Sequence, residues 1–131
     1  MARYLEPRLE RASRADMRRL QARRVRQQVA HARARSPFYR RKLAGAPTVK
    51  TLEDLARLPF TTKDELKDNQ AAKPPWGDVL AVPFEDVLRI HMTSATTGRP
   101  LAFLDTAEDW YGFFTLTRAR CTRSAFAKPT W

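Results

Sequence analysis

One cysteine, Cys121, stands in 131 residues, so no disulfide can close within the chain. An apolar run of about 18 residues, as a membrane-spanning helix needs, is also missing. The first roughly 15–30 residues hold no apolar stretch of the kind a secretory leader carries, and their arginines come with too little serine for an organelle transit peptide. The expected compartment is the reducing cytoplasm. Glycine is scarce, at 4, and proline is common, at 9. That balance excludes a glycine-rich sandwich and suits helices punctuated by stiff connections. With 43% hydrophobic residues the chain is not wholly disordered, and its length allows one core.

Acid is what the first third lacks. Residues 1–42 hold 14 Lys and Arg against three acids, whereas residues 43–131 balance 11 against 11. The formal charge of +11 therefore belongs to one segment. Such a segment can bind a polyanion, whether nucleic acid or an anionic membrane. Alternatively it is a solvated face whose acidic partner lies on other protein. Its only aromatics are Tyr4, Phe38 and Tyr39, which do not interleave with the charges as stacking platforms would, so nucleic acid is not the expected partner.

Local signals divide the chain into short elements. Residues 1–12 read as a lead-in containing Pro7. Ser13 precedes Asp16 by three residues, a capping-box-like start for a helix over about 14–35. Met17, Leu20, Val25, Val29 and Ala32 share one half of its wheel. Ser36-Pro37 ends it, because proline disfavours helical geometry in the residue before it, and residues 38–43 can form another turn. Thr51 with Asp54 opens a short helix that carries Leu52, Leu55 and Leu58 and stops at Pro59. Thr62 and Glu65 form a capping box for a helix through about Asn69. Residues 70–78, with Pro74-Pro75-Trp76-Gly77, read as an ordered loop. Val87–Met92 has strand composition, Leu101–Leu104 is a second apolar run, and Thr106 with Asp109 caps a last helix over about 107–121.

Between the two strand-like runs lies Thr93-Ser94-Ala95-Thr96-Thr97-Gly98-Arg99-Pro100. Hydroxyls and backbone N–H groups at this density can hold the oxygens of a polyphosphate. Gly98 lets the backbone approach closely, and Arg99 adds a forked cation. The same composition also suits a plain polar turn. It is not a Walker loop, since no G-x-x-x-x-G-K is present.

Three further blocks extend the pattern. Leu58-Pro59-Phe60-Thr61-Thr62-Lys63-Asp64-Glu65-Leu66 resembles the LPFTTKxDL stretch of phenylacetate–CoA ligases. Ser36-Pro37-Phe38-Tyr39 resembles their xPFYR segment, and Arg89-Ile90-His91 with the following loop resembles their RIHxSSGTTGKP. The blocks keep the family's order and similar spacing over residues 4–121. The resemblance implies an α+β fold: a helix-rich N-terminal portion of an adenylate-forming enzyme domain, with a short β-hairpin carrying the Ser/Thr-rich loop. It implies an AMP-forming acid–CoA ligase, which joins an aryl carboxylic acid to coenzyme A with ATP and Mg²⁺ through an acyl-adenylate.

By the same resemblance Thr93, Ser94, Thr96, Thr97, Gly98 and Arg99 correspond to the loop that holds the β- and γ-phosphates. Two positions depart from the family pattern. Ala95 replaces a glycine, which would penalise a positive φ there, and Arg99 replaces a lysine. His91 stands alone without metal-ligand companions, so a structural role is the expectation, and no residue of the chain is assigned as catalytic. The aryl pocket and the catalytic lysine of the family would lie beyond Trp131. Residues 122–131 do not resemble the family, and read in a neighbouring frame they could; the expected organisation is a ligase-like part at 1–121 and a frameshifted tail at 122–131. The isolated chain is then expected to be inactive. The alternatives are a basic binding module and a small subunit completed by a partner chain that supplies the rest of the ligase.

Overall fold

A computed structural model describes residues 4, 6–94, 98 and 100–126, with backbone alone at 116 and 118–126. Its elements are α1 (Pro7–Glu10), α2 (Arg14–Arg35), α3 (Pro37–Lys42), α4 (Lys63–Ala72), β1 (Val87–Met92), β2 (Ala102–Thr106) and α5 (Ala107–Phe126). Short 3₁₀ turns lie at Glu53–Arg57 and Phe84–Asp86. The description is thus mostly helical with one small sheet, which agrees with the helix-rich α+β expectation.

Each main helix starts where a side chain satisfies its free amides. Ser13 Oγ accepts from the Asp16 N–H at 3.1 Å. Thr62 and Glu65 bond reciprocally, at 3.2 and 2.7 Å. Thr106 and Asp109 repeat the arrangement at 3.2 and 3.0 Å. The long helix spans residues 14–35, about 33 Å at 1.5 Å per residue. Met17, Leu20, Val25, Val29 and Ala32 are its half-buried residues together with Ala22 and Arg33, so the apolar stripe faces inward. Arg33 fastens this helix to the segment after α3 by donating to the carbonyls of Ala46 and Pro47, at 2.6 and 3.1 Å.

Four boundaries differ from the sequence expectation. The lead-in holds a single helical turn, α1, whose Glu10 carboxylate accepts the Glu6 N–H at 2.9 Å. The segment after Thr51 winds as 3₁₀ rather than α, because Leu58-Pro59 follows within one turn. The fourth helix runs to Ala72, three residues past Asn69, over the good helix formers Gln70, Ala71 and Ala72. The last helix runs to Phe126 rather than to Cys121.

The two strands pair antiparallel with Met92 opposite Ala102, His91 opposite Phe103 and Ile90 opposite Leu104, and the register shifts between Val87 and Arg89. Arg89 places its guanidinium 4.2 Å from the ring centroid of Trp110, tying β1 to α5. Among the described residues the core is small: Leu43, Val49, Leu101 and Ala102 are the buried apolar residues, and Ser36 is fully buried. Total accessible surface is 10509 Å². A compact monomer of 15.1 kDa exposes about 7,100 Å².

Candidate functional site

The hairpin sets the frame of the Ser/Thr loop. Thr93 closes its mouth with two bonds to one residue. Its N–H donates to the Leu101 carbonyl at 3.0 Å, and its hydroxyl accepts from the Leu101 N–H at 3.0 Å. Leu101 is 2% exposed, so this closure is buried at one end. Beyond it Ser94 is exposed, and Gly98 takes φ +114°, where an added Cβ would meet nothing within 4 Å. The positive φ is the reason for glycine there: steric space alone would admit a side chain, but the backbone conformation would not.

Of the sequence-assigned residues, Thr93, Ser94 and Gly98 are thus brought to the hairpin tip. Thr96, Thr97 and Arg99, together with Ala95, lie outside the described residues. Thr93 is partly committed to closing the loop, and its hydroxyl keeps its own proton for donation. His91 is held within the hairpin, its Nδ1 lying 3.1 Å from Asp105 Oδ2 and its ring stacking on Phe103 with centroids 5.5 Å apart. That is the structural placement the sequence suggested. Among the described residues no three His, Cys, Asp or Glu side chains cluster as metal ligands.

Two adjacent side-chain amides at the end of α4 hold the hairpin and the preceding loop to the helices. Gln70 donates to the Ala102 carbonyl at 2.8 Å and accepts the Ala102 N–H at 3.1 Å. Asn69 donates to Asp78 Oδ1 at 2.7 Å and accepts the Asp78 N–H at 2.9 Å. Asp78 also receives Arg41 from α3, at 2.9 and 3.0 Å, and the Lys73 ammonium. Its carbonyl takes the Phe38 N–H at 3.1 Å and lies 3.4 Å from Ser36 Oγ. Burial pushes the Asp78 carboxyl up, but the bonds from Lys73, Asn69 and Arg41 outweigh that and bring its pKa down to about 2. On the same helix Lys42 and the Thr62 N–H hold the Glu65 carboxyl below its ordinary value. The sequence signalled the Thr62–Glu65 box. It gave no sign of Asn69, Gln70 or Asp78 as clamps: Gln70 and Ala102 are 32 residues apart, Arg41 and Asp78 are 37 apart, and Asn69 meets Asp78 across the intervening loop.

The fold matches a crystal structure of 2-hydroxyisobutyryl-CoA ligase in complex with 2-HIB-AMP and CoA with a TM-score of 0.83 and 36% identity, over 92% of this chain and 26% of that one. An open conformation of the same ligase matches with a TM-score of 0.81. No family model matches the chain. In sequence it is 40% identical over 128 residues to phenylacetate-coenzyme A ligase of Thermus thermophilus, covering 95% of this chain and 27% of the relative. It is 41% identical over 109 residues to the enzyme of that name from Aromatoleum evansii, covering 80% and 23%. The Escherichia coli K12 enzyme is 37% identical over 129 residues, covering 95% and 28%. The chain belongs to the phenylacetate–CoA ligase family of adenylate-forming enzymes. It spans about a quarter of the length of the curated relatives it matches. No helix among the described residues is long and apolar enough to cross a membrane.

Proposed function

We propose that this chain supplies the phosphate-gripping portion of an AMP-forming acid–CoA ligase, and that 131 residues alone do not complete the reaction. In this reading Ser94, Thr96 and Thr97 donate hydroxyl protons to the β- and γ-phosphates of ATP. Arg99 adds a forked cation, and Gly98 allows the backbone to approach the phosphate oxygens. Thr93 keeps the two ends of the loop together. Mg²⁺ would arrive with the nucleotide. The acid, an aryl carboxylate by family, and coenzyme A would be met by residues in the part of the relatives that this chain does not span. A partner chain or a continuation of the polypeptide would provide them.

The observation that carries the reading is the loop's frame. Thr93 and Leu101 close it by paired bonds, Gly98 sits at φ +114°, and both belong to a hairpin shared with a ligase crystallised with an acyl-AMP and CoA. Adenylation needs the carboxylate and the α-phosphate held close and in line, which the leaving-group end of the site cannot do alone. Calorimetric titration with magnesium tripolyphosphate tests the grip. Thr96→Ala/Thr97→Ala/Arg99→Ala should weaken binding about tenfold or more, since each charge-assisted bond is worth about 1.5–3 kcal/mol. Equal binding by the variant would overturn the assignment. Pyrophosphate release from phenylacetate, ATP, Mg²⁺ and coenzyme A should stay at background. Turnover that follows the purified chain would show that it is complete.

A further inference from the structure

The step from Leu101 to Ala102, where the Ser/Thr loop re-enters the sheet, is held on both sides. Leu101 donates to the Thr93 hydroxyl and accepts the Thr93 N–H, both at 3.0 Å. Ala102 donates to the Gln70 side chain at 3.1 Å and accepts from it at 2.8 Å. Successive strand residues turn their backbone groups to opposite sides, so Thr93 and Gln70 cannot stand in for one another. Leu101 and Ala102 are 2% and 4% exposed, which leaves water little access to either set of bonds. Gln70 is in turn fixed on α4. Asn69 next to it is bonded to Asp78, and Glu65 nearer the start of the helix is paired with Lys42 of α3. Among the described residues α4 hydrogen-bonds the hairpin through Gln70 alone.

We infer that Gln70 is a positioning residue for the Ser/Thr loop: by fixing Ala102 it fixes Leu101, and with Leu101 the closure that brings the two ends of the loop together at Thr93. What the loop grips rests on the proposed function; that Gln70 sets its closure does not. Both bonds of the Gln70 amide go to Ala102, so it acts on a bound phosphate through the backbone and not by touching it. Its contribution is preorganisation. A loop already closed holds its hydroxyl and N–H donors in place before the anion arrives. A loop that must first close binds more weakly, in proportion to the fraction found closed. A bond that merely stabilised the fold would lower stability when lost and leave the affinity of the folded protein alone. Asn69 supplies the comparison: the same amide chemistry one residue earlier serves Asp78, whose loop precedes β1.

Magnesium tripolyphosphate is the probe, and the whole chain is used. Gln70→Met keeps the length of the side chain and removes its amide. Without ligand it should speed amide exchange at Leu101 about tenfold relative to the middle of α2, the factor that losing two ordinary hydrogen bonds allows. Calorimetry should show tripolyphosphate binding it about tenfold more weakly than wild type. Asp78→Asn, which weakens the neighbouring clamp, should leave the Leu101 ratio and the affinity within about twofold, because its effect stays in another loop. Coupling is reciprocal, so in wild type saturating tripolyphosphate should slow exchange at Ala102 about tenfold, although that N–H is turned toward Gln70 and away from the loop. This last measurement needs no variant and decides the matter if Gln70→Met does not fold. The inference is overturned by unchanged exchange at Leu101 in Gln70→Met, by equal effects of the two variants, by full-strength binding in Gln70→Met, or by an Ala102 amide indifferent to bound ligand. Wild type that fails to bind tripolyphosphate would instead refute the phosphate reading, while the Leu101 ratio without ligand would still decide the role of Gln70.

Discussion

Asp78→Asn should make the protein less stable at neutral pH, by a margin that has mostly closed by pH 2. The carboxylate gathers Arg41, Lys73 and Asn69 at one point and is 13% exposed, while Arg41 and Lys73 are more than half exposed. An asparagine at 78 keeps an oxygen for the Asn69 amide, so most of the cost lies in the lost pairing of the carboxylate with Lys73 and Arg41. The pKa gives the magnitude. It falls from 3.8 to about 2, and at 1.36 kcal/mol per unit that is about 2 kcal/mol. The folded-state value is depressed, so this stability is present above pH ~4 and fades as pH falls through about 2. In a domain of this size about 2 kcal/mol corresponds to a midpoint shift of roughly 6–12 °C. Thermal unfolding of wild type and variant, followed by circular dichroism from pH 7 to pH 2, measures it. The reasoning is refuted if the two melt together at pH 7, or if the gap between them is undiminished at pH 2.

Three more outcomes follow from contacts already described. Gly77→Ala should cost at least about 2 kcal/mol in urea unfolding, because Gly77 has φ +74° and an added Cβ would lie 2.2 Å from Asn69 Oδ1. Gln70→Leu should cost about 2–3 kcal/mol, since it leaves the buried Ala102 N–H and carbonyl without their amide; hydrogen exchange should accelerate at Ala102 before it does at residues in the middle of α2. Sedimentation of the isolated chain should show self-association that lessens in Phe113→Ser/Phe114→Ser, whose wild-type side chains are 59% and 53% exposed. A clean monomer at all concentrations would contradict it.

What the sequence disclosed was local. Ser13, Thr62 and Thr106 each cap a helix within three residues of themselves, so their meaning is written in adjacent letters. The place of the hairpin was legible as two apolar runs flanking polar residues, but its register, which shifts between Val87 and Arg89, was not. The one-turn helix at Pro7–Glu10 escaped because a single turn has too few residues to show a period. The clamps escaped for another reason. Gln70 and Ala102 are 32 residues apart, Arg41 and Asp78 are 37 apart, and nothing in the composition pairs them. At the site, the loop's position and the need for Gly98 were legible. The use of Thr93 to close the loop was not, because a threonine in a polar run reads the same whether it faces a ligand or its own backbone.

The bond between Gln70 and Ala102 also decides where the sheet can grow. Leu101 turns its N–H and carbonyl toward Thr93, so Ala102 turns its own to the opposite side, where an added strand would otherwise pair. The glutamine amide offers one donor and one acceptor at that spot, as a strand residue would. It works as an edge stop: a strand joining along β2 finds its first rung taken and must begin further on, whereas among the described residues no side chain plugs the outer side of β1.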